Sequence, residues 1–351
     1  MRLRMIAVLV TLYASGCTTV PDPVLGPPLE KADTDEVGFA AESVPAELEV
    51  IFFDVGLGDS TLIKCPDGSK ILVDAGSMGG LSAAQKSVVR EEIRDHIGDH
   101  LDLVVVTHPD TDHYNMIANV LQGVPVSHVF YGGERDDYNT GNFKNWLQAF
   151  DDSDRATSPP LRFHDPEAEP NPVLSCVGVD LWIMAANVPA ASGAENNYVK
   201  NTPSIVLRIS HGDVDIVLGA DATTTTENHM LSWYSPEFLD IDILKLGHHG
   251  SRTTSTGWDW TEATSPRLAI ASTSGGQNPY GHPNGEVILR VAPYTDDRTK
   301  SHRLHWCAGQ KACGTAFEIR EAIYSTSSAG TITLRSDGQN WTVSCDRSDS
   351  C

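Results

Sequence analysis

Four apolar residues, Leu103-Val104-Val105-Val106, run directly into Thr107-His108-Pro109-Asp110-Thr111-Asp112-His113. A continuous apolar run of that length reads as a strand buried on both faces. The end of such a strand is a rigid place from which side chains project into a cleft. Imidazole nitrogen and carboxylate oxygen at this density suit a divalent cation. The plainer alternative is an Asp-rich turn in which Asp112 caps the next helix. A cap needs one such side chain, and this segment carries four.

Other segments repeat the pattern of a strand followed by a polar bend. Val217-Leu218-Gly219-Ala220-Asp221 ends on a carboxylate able to bridge two cations, or to serve as a simple turn residue. Leu244-Lys245-Leu246-Gly247-His248-His249-Gly250-Ser251 places two adjacent imidazoles after an apolar run. One of them can ligate a metal while the other orients a substrate or donates a proton. Asn278-Pro279-Tyr280-Gly281-His282-Pro283 adds His282, which a surface turn explains equally well. Phe53-Asp54-Val55-Gly56-Leu57-Gly58-Asp59-Ser60 and Leu72-Val73-Asp74-Ala75-Gly76 combine carboxylates with glycines, which allow tight turns and close backbone approach. Asp74 and Asp59 are candidate supports for the metal loop, and either segment alone can be no more than a hairpin.

The spacing predicts short strands over 48–54, 61–64, 70–74, 103–106, 179–185, 204–209, 214–218, 241–246 and 267–272. Helices are expected over 82–97, where Val88, Val89, Ile93 and Ile97 recur at helical spacing, and over 114–122 and 286–291. Residues 134–172 read as a long polar loop, and Asp337-Gly338 as the turn of a terminal hairpin. Two batches of strands with interspersed helices fit an α/β architecture. The net charge of −22 disfavours a basic nucleic-acid-binding surface.

The amino terminus has Arg2 and Arg4, a short apolar stretch, then Ala14-Ser15-Gly16-Cys17. This reads as a secretory signal over 1–16, and the last four residues resemble a bacterial lipobox in which Cys17 is lipidated. An ordinary signal peptide with a free Cys17 is the alternative. Lipid chains supply membrane affinity without a spanning helix, so the chain is expected to be exported and held at the outer membrane, periplasm or cell surface. Residues 17–46 read as a disordered tether, and 47–351 as one folded domain with its core over about 48–295 and a C-terminal β extension. Six cysteines remain, an even number that suggests disulfides in an exported protein. The economical pairs are Cys307 with Cys313 and Cys345 with Cys351, leaving Cys65 with Cys176.

Taken in order, FFDVGLGDSTLI, LVDAG, THPDTDH, NTPSIVL, LGAD, LKLGHHGS and NPYGHP resemble the metallo-β-lactamase superfamily, and most of all the hydrolase domain of ComEC-type competence proteins. The resemblance implies an αββα sandwich of two packed mixed sheets with outer helices. It implies metal ligands at His108, Asp112 and His113, with Asp110 where the superfamily usually has His. Asp221 matches the bridging carboxylate and Asp74 the supporting one. His248 or His249 matches the last His ligand, with His248 narrowly preferred. The middle His ligand has no counterpart, and Asn201 and Ser204 lie in that region. Leu57 stands where the branch usually has Gln.

The same resemblance implies a metal-dependent hydrolase with one or two divalent ions, acting on a phosphodiester or nucleic acid through activated water. Asp110 in place of His makes the site richer in oxygen, so Mn²⁺ is expected to compete with Zn²⁺. Asp112 or Asp221 is expected to orient the nucleophile, His248, His249 or His282 to protonate the leaving group, and Lys245, with Arg252 nearby, to help hold an anion. Hydrolysis of a small ester, lactone or amide is the second reading. A surface binding lipoprotein without turnover is the third.

Overall fold

The computed structural model describes residues 47–159, 174–194, 196–274, 278–308, 313–347 and 351. The signal, Cys17 and the tether lie outside these residues.

Seventeen strands are described: β1 (Leu48–Phe52), β2 (Thr61–Lys64), β3 (Lys70–Val73), β4 (Leu101–Val106), β5 (Val126–Tyr131), β6 (Ala156–Thr157), β7 (Leu174–Cys176), β8 (Val179–Ala185), β9 (Val206–His211), β10 (Val214–Leu218), β11 (Ile243–Lys245), β12 (Leu268–Ala271), β13 (Asp297–Cys307), β14 (Cys313–Glu321), β15 (Ile323–Ser325), β16 (Ile332–Ser336) and β17 (Trp341–Cys345). Eight form one sheet in the order β17-β16-β1-β2-β3-β4-β5-β6, and seven form another in the order β15-β12-β11-β10-β9-β8-β7. The remaining pair, β13 and β14, is a separate antiparallel hairpin.

Period-two alternation explains why the sheets stack. Leu103 and Val105 of β4 join a core that also holds Ile216 and Leu218 of β10 and Ile243 of β11. Val104 and Val106 point the other way, into a layer with Val89, Ile93 and Ile97 of the helix Ala83–Ile97. The second sheet does the same: Val217, Leu244 and Ala269 meet helical residues Met230, Trp260, Val287 and Ile288. Two sheets with helices outside each make an αββα sandwich.

The helix Ala83–Ile97 starts at a capping box between Ser82 and Gln85. Its buried face is Val89, Ile93 and Ile97, while Val88 is exposed. The expected loop over 134–172 is corrected in part. Residues Gly141–Asp151 are an α-helix burying Phe143, Trp146, Leu147 and Phe150. These four have the i, i+3, i+4, i+7 spacing of one helical face. The helix expected over 114–122 starts earlier, at Thr111, and comes in two short pieces, Thr111–Tyr114 and Ile117–Val120.

All three disulfides pair as the spacing suggests. Cys65–Cys176 joins the end of β2 in one sheet to β7 in the other, across 111 residues of chain. Closing a loop of that size restricts the unfolded chain by about 4.7 kcal/mol in the entropy model, and native disulfides contribute roughly 2–5 kcal/mol in practice. The Cys65→Ala/Cys176→Ala double variant is therefore expected to lose about 2–5 kcal/mol of unfolding free energy in denaturant titration. An unchanged midpoint would show that core packing alone locks the sheets together.

Strand direction sets where the chemistry sits. β3, β4 and β5 are parallel, as are β10, β11 and β12. Ligand sites of parallel sheets lie at the carboxyl ends of their strands. Asp74 follows β3, Thr107 and His108 follow β4, Asp221 follows β10, and His248 and His249 follow β11.

Candidate metal centre

Asp221 is the hub. One carboxylate oxygen, Oδ1, lies 3.3 Å from His113 Nε2. The other, Oδ2, lies 3.8 Å from His108 Nε2, 3.5 Å from His248 Nε2 and 3.7 Å from His249 Nε2. Asp112 Oδ2 is 3.4 Å from His249 Nε2. His108, His113 and Asp221 form one compact ligand set, and Asp112, His113 and His249 another.

The outer nitrogen of each ring is already engaged. His113 Nδ1 is 2.7 Å from Asp74 Oδ2, so the ring donates there. His249 Nδ1 donates to the Ser272 carbonyl at 2.9 Å. Thr107 Oγ1 gives its hydrogen to Asp74 at 2.7 Å and so accepts from His108 Nδ1 at 3.0 Å. A ring that donates through Nδ1 presents a lone pair at Nε2. The Nε2 atoms of His108, His113 and His249 are buried without a hydrogen-bond partner, as is Asp221 Oδ1. Buried polar atoms left bare are costly. Gathered in two overlapping sets around Asp221 and Asp112, they fit divalent cations.

The electrostatics agree. Burial would raise the Asp112 carboxyl, but His249 and His113 beside it hold it down at about 2. Asp221 is also held well below the usual range, against its burial, by His248, His249 and His113. Burial lowers His108, and the charge of His113 lowers it further. His113 is raised well above normal despite burial, because Asp221 and Asp74 surround it. A pocket this rich in carboxylate attracts positive charge.

Glycines explain the supporting motifs. A Cβ on Gly76 would lie 2.2 Å from both the carbonyl carbon and oxygen of Asp112 and 2.5 Å from His113 N. One on Gly58 would lie 2.6 Å from Asp112 O. The two segments therefore run against the ligand backbone, tied by Asp59 N to Asp112 O at 3.1 Å and Ala75 N to His113 O at 2.8 Å. Gly76→Ala is expected to cost about 3 kcal/mol of stability by overpacking and to weaken metal affinity about 10–100-fold. Thermal unfolding and metal titration check this, and wild-type values in both would contradict it. Asp74, Ala220, His248 and His249 all have positive φ, at 59°, 47°, 45° and 56°. Such backbone in non-glycine residues persists only where the surroundings enforce it.

Three assignments change. Asp110 does not join the cluster; it stands at the N-cap position of Thr111–Tyr114 and pairs with Lys200 at 3.5 Å. Lys245 does not reach the cleft to hold an anion. It is 2% exposed and ion-paired with buried Asp59, behind the metal loop. Period two dictates this, since Lys245 faces the same way as Ile243, into the space between the sheets. Of the adjacent histidines, His249 rather than His248 shares a ligand set with Asp112 and His113. His248 faces the same Asp221 oxygen but is not in that set, its Nδ1 2.8 Å from Thr254 Oγ1 and 3.3 Å from Asn201 Nδ2.

Asn201 and Ser204 are buried beside this region, each with an unpartnered side-chain oxygen. His282 packs against the cluster, its ring 5.5 Å from His248 and 6.5 Å from His249. Burial, with those two rings beside it, lowers His282 to about 3, so it is neutral near pH 7. Leu57 is buried and bridges to Gly79. Thr107, Ser272 and Thr254, which hold the imidazoles, escape a reading of the sequence. Their one signal is position, next to a ligand or at a strand end.

The sequence profile of the metallo-beta-lactamase superfamily matches residues 53–258, more than half of the chain. The chain belongs to this superfamily. Among curated relatives, it is 24% identical over 269 residues to ComE operon protein 3 of Bacillus subtilis (strain 168), covering 71% of this chain and 31% of that one. It is 27% identical over 262 residues to competence protein ComA of Neisseria gonorrhoeae, covering 73% and 31%. The chain thus spans about a third of the length of the curated relatives it matches. Among solved structures, the metallo-beta-lactamase fold protein YhfI from Bacillus subtilis is similar at a TM-score of 0.39 and 12% identity, over 71% of this chain and 94% of that one. CmlA, a diiron β-hydroxylase from Streptomyces venezuelae, is similar at 0.38 and 13%, over 70% and 47%. Superfamily members are generally metal-dependent hydrolases that bind one or two metal ions, and the His/Asp cluster conforms to that pattern.

Proposed function

We propose that the chain is a metal-dependent phosphodiesterase acting on nucleotide substrates. The convergence of bare, buried His and Asp atoms on Asp221 carries this reading, and the likeness to competence proteins supports it. Asp112, His113 and His249 would hold one Zn²⁺ or Mn²⁺, and His108, Asp221 and His248 a second. Such ions supply a water of lowered pKa and a charge that stabilises the phosphoryl oxygens.

The chain's own residues do the rest. Asp74 fixes the His113 ring through Nδ1, and Ser272 fixes His249 in the same way. Thr107 ties His108 to Asp74, so His108 and His113 share one buttress. The Lys245–Asp59 pair steadies the backbone under Asp112, because Asp59 N donates to Asp112 O. His282 stands beside the cluster but is held neutral, so the expected role of protonating a leaving group does not fit it.

Bis(p-nitrophenyl) phosphate and single-stranded DNA, offered with Mn²⁺ or Zn²⁺, test the reading beside an Asp112→Ala/His113→Ala control. Cleavage by the wild type alone is expected. Bound metal without cleavage of either substrate would turn the search to small esters and lactones.

We further propose that the chain is exported and anchored through lipid on Cys17. Among the described residues, no helix is long and apolar enough to cross a membrane. Cys17→Ser is expected to move the protein from the membrane fraction to the soluble one. Unchanged partitioning would refute the anchor.

A further inference from the structure

A second space opens beside the metal cluster. A cavity of about 240 Å³ is lined by Ser251, Arg252, Tyr280, His282, Asn284 and Ala308, among others. Its walls come from the loop that carries the two adjacent histidines, from the loop that carries His282, and from the end of β13. Two of these walls lie beyond residues 53–258, the part that matches the superfamily profile.

Three aromatic rings lead from the cluster into this cavity. His248 contacts Asp221, His282 lies 5.5 Å from His248, and Tyr280 stacks on His282 at 6.2 Å and 17°. Tyr280 is 51% exposed, so its ring remains available to a ligand. Its loop is fixed: Asn278 Nδ2 donates to His282 O at 2.9 Å, Asn278 Oδ1 accepts from Tyr280 N at 2.9 Å, and Cys307 N donates to Pro283 O at 2.8 Å. Arg252 also lines the cavity, half exposed and 3.5 Å from Glu286.

We propose that this cleft binds the nucleoside flank of the substrate, its base against Tyr280 and a phosphate beside Arg252, while the reacting phosphodiester sits at Asp221. The inference rests on the phosphodiesterase reading and narrows it. A planar exposed ring favours a stacked base, and guanidinium favours phosphate. The cavity falls below the roughly 300–1,000 Å³ of pockets that enclose whole drug-sized ligands, so it takes one nucleoside-sized group. The net charge of −22 opposes long polyanions. Mononucleotide diesters and the ends of short single strands are the class that satisfies all four conditions.

Two diesters with the same leaving group read the flank alone: thymidine 5′-(p-nitrophenyl phosphate) and methyl p-nitrophenyl phosphate. The wild type is expected to prefer the first in kcat/KM. Tyr280→Ala is expected to lower that preference about tenfold, and Tyr280→Phe to keep it. Equal preference in the wild type and Tyr280→Ala would overturn the proposal. If the wild type cleaves neither diester, the phosphodiesterase reading has failed. The cleft is then tested by calorimetric titration of thymidine 5′-monophosphate. About tenfold weaker binding to Tyr280→Ala supports the cleft, and identical or no binding to both proteins rejects it.

Discussion

Asp221→Ala is expected to lower metal-dependent hydrolysis on the order of 10³-fold. Asp221 is the one carboxylate that faces His113 through one oxygen and His108, His248 and His249 through the other. Its removal takes a ligand from both sides of the cluster at once and leaves the imidazoles mutually repelling. Supporting residues around metal sites typically matter about 10–100-fold, so a shared ligand belongs above that range. Turnover at saturating Mn²⁺ or Zn²⁺, with folding confirmed by circular dichroism, is the measurement. A folded Asp221→Ala protein within tenfold of wild type would remove Asp221 from the centre.

The second large effect falls on stability. Asp74 is buried and accepts from Thr107 N at 2.8 Å, Thr107 Oγ1 at 2.7 Å and His113 Nδ1 at 2.7 Å. Asp74→Ala strips all three donors of their partner and leaves His113 without its orienting carboxylate. Breaking a buried charged network from one side costs about 3–5 kcal/mol. Metal affinity is expected to fall about 10–100-fold as well, because His113 loses its fixed tautomer. Denaturant unfolding and metal titration report the two effects separately. A stability loss with unchanged affinity would make Asp74 a purely structural residue.

How legible each part of the site is depends on how far apart its residues lie in sequence. His108, Asp112 and His113 occupy one loop, so their chemistry shows without any tertiary knowledge. Asp221 and Asp74 follow ordinary strands, and only the ordered resemblance to a superfamily singles them out. The choice between His248 and His249 turns on contacts no local pattern reveals. The Ser272 carbonyl takes His249, and Thr254 takes His248. Charge alone suggests the cleft for Lys245, although its alternation with Ile243 points it between the sheets. The hairpin of β13 and β14 is hard to read because β13 buries few side chains, among them His302 and Leu304, and so carries little apolar rhythm. That hairpin forms part of the proposed nucleoside cleft, so the least legible segment bears on substrate choice.

The metal requirement can be put to a single experiment: strip the purified chain with a chelator, then add back Zn²⁺ or Mn²⁺ while recording bound metal and hydrolysis of bis(p-nitrophenyl) phosphate together. Activity is expected to disappear on stripping and to return as the ions bind at His108, Asp112, His113, Asp221 and the adjacent histidines. A folded chain that takes up no metal, or that hydrolyses equally well without it, would contradict a metal centre built on Asp221.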